Sequence, residues 1–225
     1  MNSRTFEMYN TCIDPFYLNT NAFTICKLLL SSDASSIYKV RLNSDNNNRY
    51  CLKVYHDNGD PGYSKKGRDL NRFQCELKAC KNLRLHGVCQ NGVVPTPYRP
   101  HLNHFENDVY KPKAVLLEYL PDAEGLNCLN YSDERFEIAM RGLDNIHRAH
   151  VLHHDVYPKN ILVVPGNPER VVWVDFDVAM TYPDAQTMAT QAGEYCEFET
   201  DLAQSFGDLL RKDQKQGLPP NTKFY

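Results

Sequence analysis

Apolar and polar positions alternate at Ile37-Tyr38-Lys39-Val40-Arg41-Leu42 and again at Tyr50-Cys51-Leu52-Lys53-Val54-Tyr55, the period of two expected of half-buried strands. The segment SDNNN (44–48) between them reads as a turn, so the pair predicts an antiparallel hairpin; SSDASS (31–36) reads as another turn. After the loop HDNGDPGYSKKG (56–67) the spacing becomes helical: Leu70, Phe73, Leu77 and Cys80 share one face up to the break at Gly87, which puts Glu76 near the middle of a helix. A proline-rich stretch, VVPTPYRP (93–100), precedes a buried strand over Ala114 to Tyr119. The composition then shifts in LPDAEGLN, and a boundary is predicted there, dividing the chain into 1–120 and 121–225. Ser132 or Asp133 caps a helix whose apolar face is Phe136, Ala139, Met140, Leu143 and Ile146. The runs Ile161 to Val164 and Val171 to Val174, separated by PGNPE, predict a second hairpin. Phe198, Leu202, Phe206, Leu209 and Leu210 mark a last amphipathic helix before the tail QKQGLPPNTKFY. Strands and helices in this order predict an α+β chain.

Composition narrows the class without naming a function. The 225 residues are 42% hydrophobic and 24% charged, an ordinary globular balance that excludes collagen-like, wholly disordered and disulfide-miniprotein classes. A formal net charge of -3 supplies no global basic field for nucleic acid or an anionic membrane, so neither is expected as a partner. The apolar run Leu28 to Leu30 is far too short to span a bilayer. The eight cysteines (Cys12, Cys26, Cys51, Cys75, Cys80, Cys89, Cys128, Cys196) form no CxxC pair and no zinc spacing, and MNSRTFEMYN has no signal-peptide pattern. Reduced thiols in a cytoplasmic or nuclear protein are the expectation.

The sharpest chemical signal is His153-His154-Asp155-Val156-Tyr157-Pro158-Lys159-Asn160-Ile161-Leu162, followed after a predicted hairpin by Trp173-Val174-Asp175-Phe176-Asp177. This ordered set resembles the protein kinase superfamily, in which an H-x-D-x-x-x-x-N loop and a D-F-G motif flank a short hairpin. The likeness extends over about residues 25 to 180: Cys51-Leu52-Lys53-Val54 is similar to the lysine strand, Glu76 stands where that lysine's helical partner is kept, and Leu116-Leu117-Glu118-Tyr119-Leu120 is similar to the hinge. The resemblance implies a two-lobed protein kinase-like fold with a shortened C-terminal lobe, hinged at 118–120, that moves the γ-phosphate of ATP to a hydroxyl. On that pattern Lys53 holds the α and β phosphates and Glu76 holds Lys53, while Asp155 accepts the proton of the attacking hydroxyl. Asn160 and Asp175 supply oxygens to Mg2+, and the backbone of Glu118, Tyr119 and Leu120 meets the adenine edge.

Singly, these residues have plainer readings. Lys53 is the outward charge of a half-buried strand and Glu76 a solvated helix face, while Asp155 and Asn160 cap a loop and His153 and His154 are core or surface groups. Asp175, closing the apolar run VVWV, is costly to bury without a cation or hydrogen bonds. The His-His-Asp cluster lacks a further ligand at zinc spacing.

The sequence also departs from the family. Leu30, Ser32 and Ser35 fall where the phosphate loop carries glycines, so Ser32 and Ser35 would meet phosphate through hydroxyls. Asp177 replaces the last glycine of D-F-G, as a further carboxylate near the metal or as a surface acid. Tyr157 and His154 replace the usual lysine and arginine. About 48 residues follow Asp177, with no A-P-E signature and no room for a full peptide platform. In its brevity the chain resembles RIO-type kinases, and in its acid-rich motif aminoglycoside phosphotransferase-like enzymes. The expected acceptor is a protein Ser or Thr hydroxyl. The alternatives are a small-molecule kinase and a pseudokinase acting as a binding module.

Overall fold

A computed structural model describes residues 23–93, 97–98 and 113–220. The amino-terminal segment, most of the proline-rich stretch and the last five residues lie outside the described residues.

The chain is α+β. Strands β1 (Phe23–Ser31), β2 (Ser35–Leu42) and β3 (Asp45–Tyr55) lead into helix α1 (Arg72–Leu85), then the short β4 (Pro97–Tyr98) and β5 (Lys113–Glu118). After β6 (Glu124–Gly125) come α2 (Asp133–Arg148), β7 (Val151–Leu152), β8 (Ile161–Val164), β9 (Arg170–Trp173), β10 (Met180–Thr181) and α3 (Ala185–Gln216). The first five strands form one antiparallel sheet in the order β1-β2-β3-β5-β4. The others form a three-stranded sheet, β6-β8-β9, and a two-stranded one, β10-β7.

Both expected hairpins form. Ile37 pairs with Lys53 and Val40 with Tyr50 in the first, and Ile161 with Trp173 in the second. The expected SDNNN turn contracts to Asn43 and Ser44, because β3 begins at Asp45, whose carboxylate accepts from the Asn47 and Asn48 amides and from the Tyr50 hydroxyl. The β1 strand has no counterpart in the apolar pattern. Its residues are exposed beyond Phe23, and register shifts between Ile25 and Lys27 and between Leu28 and Leu30 break the alternation.

Capping fixes the helices. Asn71 accepts from the Gln74 amide, Ser132 from Arg135 at 3.2 Å and Asp184 from Thr187 at 2.7 Å. Helix α3 ends on Gly217 at φ +65°, with the Leu218 amide reaching back to the Asp213 carbonyl. The main core gathers Ala79 and Leu83 of α1, Phe136, Leu143 and Ile146 of α2, and Val163, Val171 and Trp173 of the small sheet. Trp173 is fully buried, and its indole N–H donates to the Ala139 carbonyl at 2.8 Å. Gly207 of α3 packs where a Cβ would stand 2.3 Å from Phe136, so only glycine lets α3 approach α2 this closely.

Two helical faces differ from the expected ones. In α1 the buried stripe runs Phe73, Glu76, Cys80, Leu83, with Leu77 at its edge and Leu70 ahead of the helix. In α3 Phe198 is exposed, and the inward line is Ala192, Glu199, Ala203, Phe206 and Leu210. Among the described residues no helix is long and apolar enough to cross a membrane, and the seven described cysteines are free.

Candidate functional site

The centre of the site is an ion network in which β3, α1 and the turn after β9 meet. Lys53 lies between Ile37 and Val115 across the sheet, and its ammonium is buried. It donates to Glu76 Oε2 at 2.8 Å and to Asp175 Oδ1 at 2.5 Å, and stands 3.7 Å from Asp177 Oδ2. The Tyr55 hydroxyl donates to the same Glu76 oxygen. Arg72, at the start of α1, donates to Asp177 Oδ2 at 3.0 Å. Neither plain reading survives: Lys53 is not an outward charge and Glu76 is not a solvated face, each being about 97–98% buried. Asp177 is likewise buried and paired, not a surface acid.

Burial alone would strip Lys53 of its proton, but Glu76, Asp175 and Asp177 together outweigh it and hold the ammonium charged well above the ordinary lysine range. For Asp175 burial pushes the carboxyl up, and Lys53 more than reverses this, so it stays anionic. Asp175 adopts φ +68° and His154 φ +66°, the left-handed region that non-glycine residues seldom occupy.

The small hairpin supplies the rest. Because Ile161 pairs with Trp173, the preceding Asn160 and the following Val174 face each other, and the Val174 amide donates to the Asn160 carbonyl at 2.9 Å. That register brings the two motifs together. Asn160 Nδ2 donates to both the carbonyl and the carboxylate of Asp155, each at 2.8 Å, so Asn160 does fasten the loop as its plainer reading held. The turned amide leaves Oδ1 as an oxygen donor without a hydrogen-bond partner among the described residues. His153 is a core group: its ring lies against Trp173 and Phe176, Nδ1 accepts from the Asp155 amide at 3.3 Å, and Nε2–H therefore donates to the Val174 carbonyl at 3.1 Å. Burial holds this ring neutral.

One bracing residue was absent from the sequence reading. Glu199 of α3 is buried and accepts from the backbone amides of His153, at 3.2 Å, and His154, at 2.5 Å, while the His147 ring lies 2.9 Å away. Burial raises its carboxyl, but these hydrogen bonds win and hold it below the ordinary value. The only signal in the sequence is an acid at the inward position of an otherwise apolar helical stripe, the same signal that Glu76 gives in α1.

Lys53, Asp155, Asp175 and Asp177 line an open cleft of about 550 Å³, together with Ser32, Ser35, Ile37, Arg68 and Lys159. Ser32 and Ser35 line this cleft, and the Ser32 hydroxyl is engaged locally, donating to the Ser35 carbonyl and accepting from the Ala34 and Ser35 amides. Glu118, Tyr119 and Leu120 are not among the lining residues. Glu118 ends β5 with its carboxylate held by Arg170 at 2.6 and 3.2 Å, and Lys39 sits 4.2 Å from the centre of the Tyr119 ring.

Among the described residues no group of three or more His, Cys, Asp or Glu side chains forms a metal site. The oxygens of Asp175 and Asn160 are hard donors. They suit a magnesium ion that takes its remaining ligands from phosphate and water, and do not suit a structural zinc.

Searches with the sequence find no protein-family model and no curated protein that matches it.

Proposed function

We propose that this chain is a Mg-ATP-dependent phosphotransferase with a two-lobed, kinase-like organisation. The sheet with α1 would form one lobe and residues 121–225 a reduced second one, hinged at 118–120. The reading rests on one observation above all: Lys53, Glu76 and Asp175, drawn from three separate parts of the chain, meet at 2.5–2.8 Å beside the cleft that Asp155 also lines. Phosphoryl transfer asks a protein mainly for positioned cations and acids, and this arrangement has both.

In this reading Lys53, fixed by Glu76, neutralises the nucleotide's phosphates. Asp175 and the Asn160 amide oxygen would hold magnesium, which when bound would supply neutralising charge to the phosphates. Asp155, oriented by the Asn160 amide, takes the proton of an acceptor hydroxyl. The acceptor oxygen forms its bond to the γ-phosphorus, the bond from that phosphorus to the β-γ bridging oxygen breaks, and ADP leaves with the bridging oxygen. The acceptor is a protein Ser or Thr hydroxyl. A second reading, a small-molecule acceptor, is favoured by one feature: α3 begins at Ala185, soon after Asp177, leaving little chain for a peptide platform.

The test is transfer of labelled γ-phosphate to cell extract by the purified chain, alongside thermal stability with Mg-ATP. At a hundred times Kd the nucleotide should add about 2.7 kcal/mol. Asp155→Ala should lower transfer about 10²–10⁴-fold with nucleotide binding kept. The absence of any nucleotide-dependent stabilisation would sink the reading and favour a binding module.

A further inference from the structure

Four cationic side chains line the cleft: Lys53, Arg68, Arg72 and Lys159. Three of them answer carboxylates of the protein itself. Lys53 meets Glu76 and Asp175, Arg72 meets Asp177 at 3.0 Å, and Lys159 stands 3.5 Å from Asp155. Arg68 alone has no carboxylate within 4 Å among the described residues, and it is only half-buried. A guanidinium that faces a cleft with no internal partner is a ready docking group for an external anion.

Its loop is built to present it. The Ser64 amide donates to the Arg68 carbonyl at 2.8 Å and the Arg68 amide returns to Ser64 Oγ at 3.0 Å, while Gly67 takes φ +81° to close the turn. Tyr63 bridges to Asp69, and the Leu70 amide donates to the Gly62 carbonyl. The same loop reaches α3, where the Lys66 ammonium lies 5.7 Å from the centre of the Tyr195 ring. Arg68 is therefore held on a braced turn, not on a free strand of chain.

Leu30, Ser32, Ser35 and Ile37 come from the β1–β2 turn and its flanks, whereas Arg68 comes from the loop ahead of α1 and lines the cleft together with His154 and Asp155. At the His154 ring partial desolvation disfavours the proton and Glu199 opposes this, while the Arg68, His153 and Lys66 charges add to the depression.

We propose that the phosphoryl acceptor carries a phosphate or carboxylate of its own close to its reacting hydroxyl, and that Arg68 docks that anion. This deepens the phosphotransferase reading and rests on it. The anion could be borne by an acidic or phosphorylated Ser/Thr peptide or by a phosphorylated or carboxylated small molecule, and Arg68 would read the shared chemistry.

The experiment offers the full chain and labelled Mg-ATP two acceptor series. One is Ser/Thr peptides flanked by Asp or phosphoserine, by Ala, or by Lys; the other is small hydroxyl compounds with and without a phosphate or carboxylate. Label should go preferentially to the anionic members of one series, and which series takes it identifies the source. In Arg68→Ala the acceptor KM should rise about ten- to a hundredfold while the ATP KM stays unchanged, and Arg68→Lys should recover part of the preference. Equal use of neutral and anionic acceptors, an unchanged preference in Arg68→Ala, or a rise in the ATP KM instead would overturn the assignment. Failure of the wild-type chain to bind Mg-ATP would overturn the phosphotransferase reading with it, so the two failures are distinguishable. Arg68 is half-exposed and its backbone bonds survive truncation, so the variant should fold, as a melting curve verifies.

Discussion

The two walls of the cleft are built on opposite principles. The inner wall, Lys53, Glu76 and Asp177 with the Glu199-braced loop behind Asp155, is buried, and almost every polar atom in it is held by another. The outer wall, the β1–β2 turn with the Arg68 loop, is exposed or half-exposed apart from the buried Ser35 and is bound mainly by local hydrogen bonds. Burial makes the inner geometry stiff, because an ion removed from water must find its partners or lose its charge. The outer side chains keep their contact with water and so can exchange it for a ligand. Buried, paired charge is thus concentrated in one wall and exchangeable surface in the other.

Substitutions on the two walls should separate by size. The largest effect is expected from Lys53→Met, which leaves Glu76 buried without its cation and should cost about 3–5 kcal/mol by denaturant titration. Burial pushes the Glu76 carboxyl up and Lys53 opposes it, so in the variant the folded pKa lies above the unfolded one. Its deficit should therefore shrink as pH falls and the carboxyl takes a proton, and a pH-independent deficit would contradict the ion network.

Next comes Glu199→Ala, which orphans the His153 and His154 amides at about 1–3 kcal/mol each and should also slow any transfer that uses Asp155. The sign of its pH dependence is opposite. Because the folded Glu199 carboxyl lies below its ordinary 4.5, its contribution is complete above that pH and disappears as pH falls through the folded value. The difference between wild type and Glu199→Gln, compared across that window, checks it.

Away from the inner wall, at the Arg170–Glu118 pair outside the cleft and at the β1–β2 turn, the effects should be smaller. Arg170→Ala breaks the two-pronged contact with Glu118, but both side chains are about one-third exposed, so a loss of about 0.5–1 kcal/mol that weakens with salt is expected. Ser32→Ala removes only turn hydrogen bonds open to water and should fall within about 0.5 kcal/mol. A Ser32 effect as large as that of Glu199 would erase the distinction between the walls.

Much of the site was legible before any coordinates. The hairpin between Asn160 and Asp175 and the cap at Ser132 follow from period and turn residues, while the set Lys53, Glu76, Asp155, Asn160 and Asp175 was picked out by its ordered resemblance to the protein kinase superfamily. The strand β1 was not legible, since an exposed edge strand with two register shifts has no alternating face to read. The phase of α3 misled for a related reason: Phe198 looks like core, but the adjacent Glu199 takes the inward place because it is neutralised by donors from a loop some 45 residues away in sequence.

What the sequence determined by itself is local: which segments alternate, where helices start, and how far apart the acids and the lysine lie along the chain. What only the tertiary structure decided is which charges are taken out of water and which are left facing it. Lys53 and Glu76 look like surface residues until the sheet and α1 close on them, and Arg68 looks like any loop arginine until the other cations lining the cleft are seen to be paired. Burial and pairing are properties of several segments at once, so no single stretch of sequence can carry them.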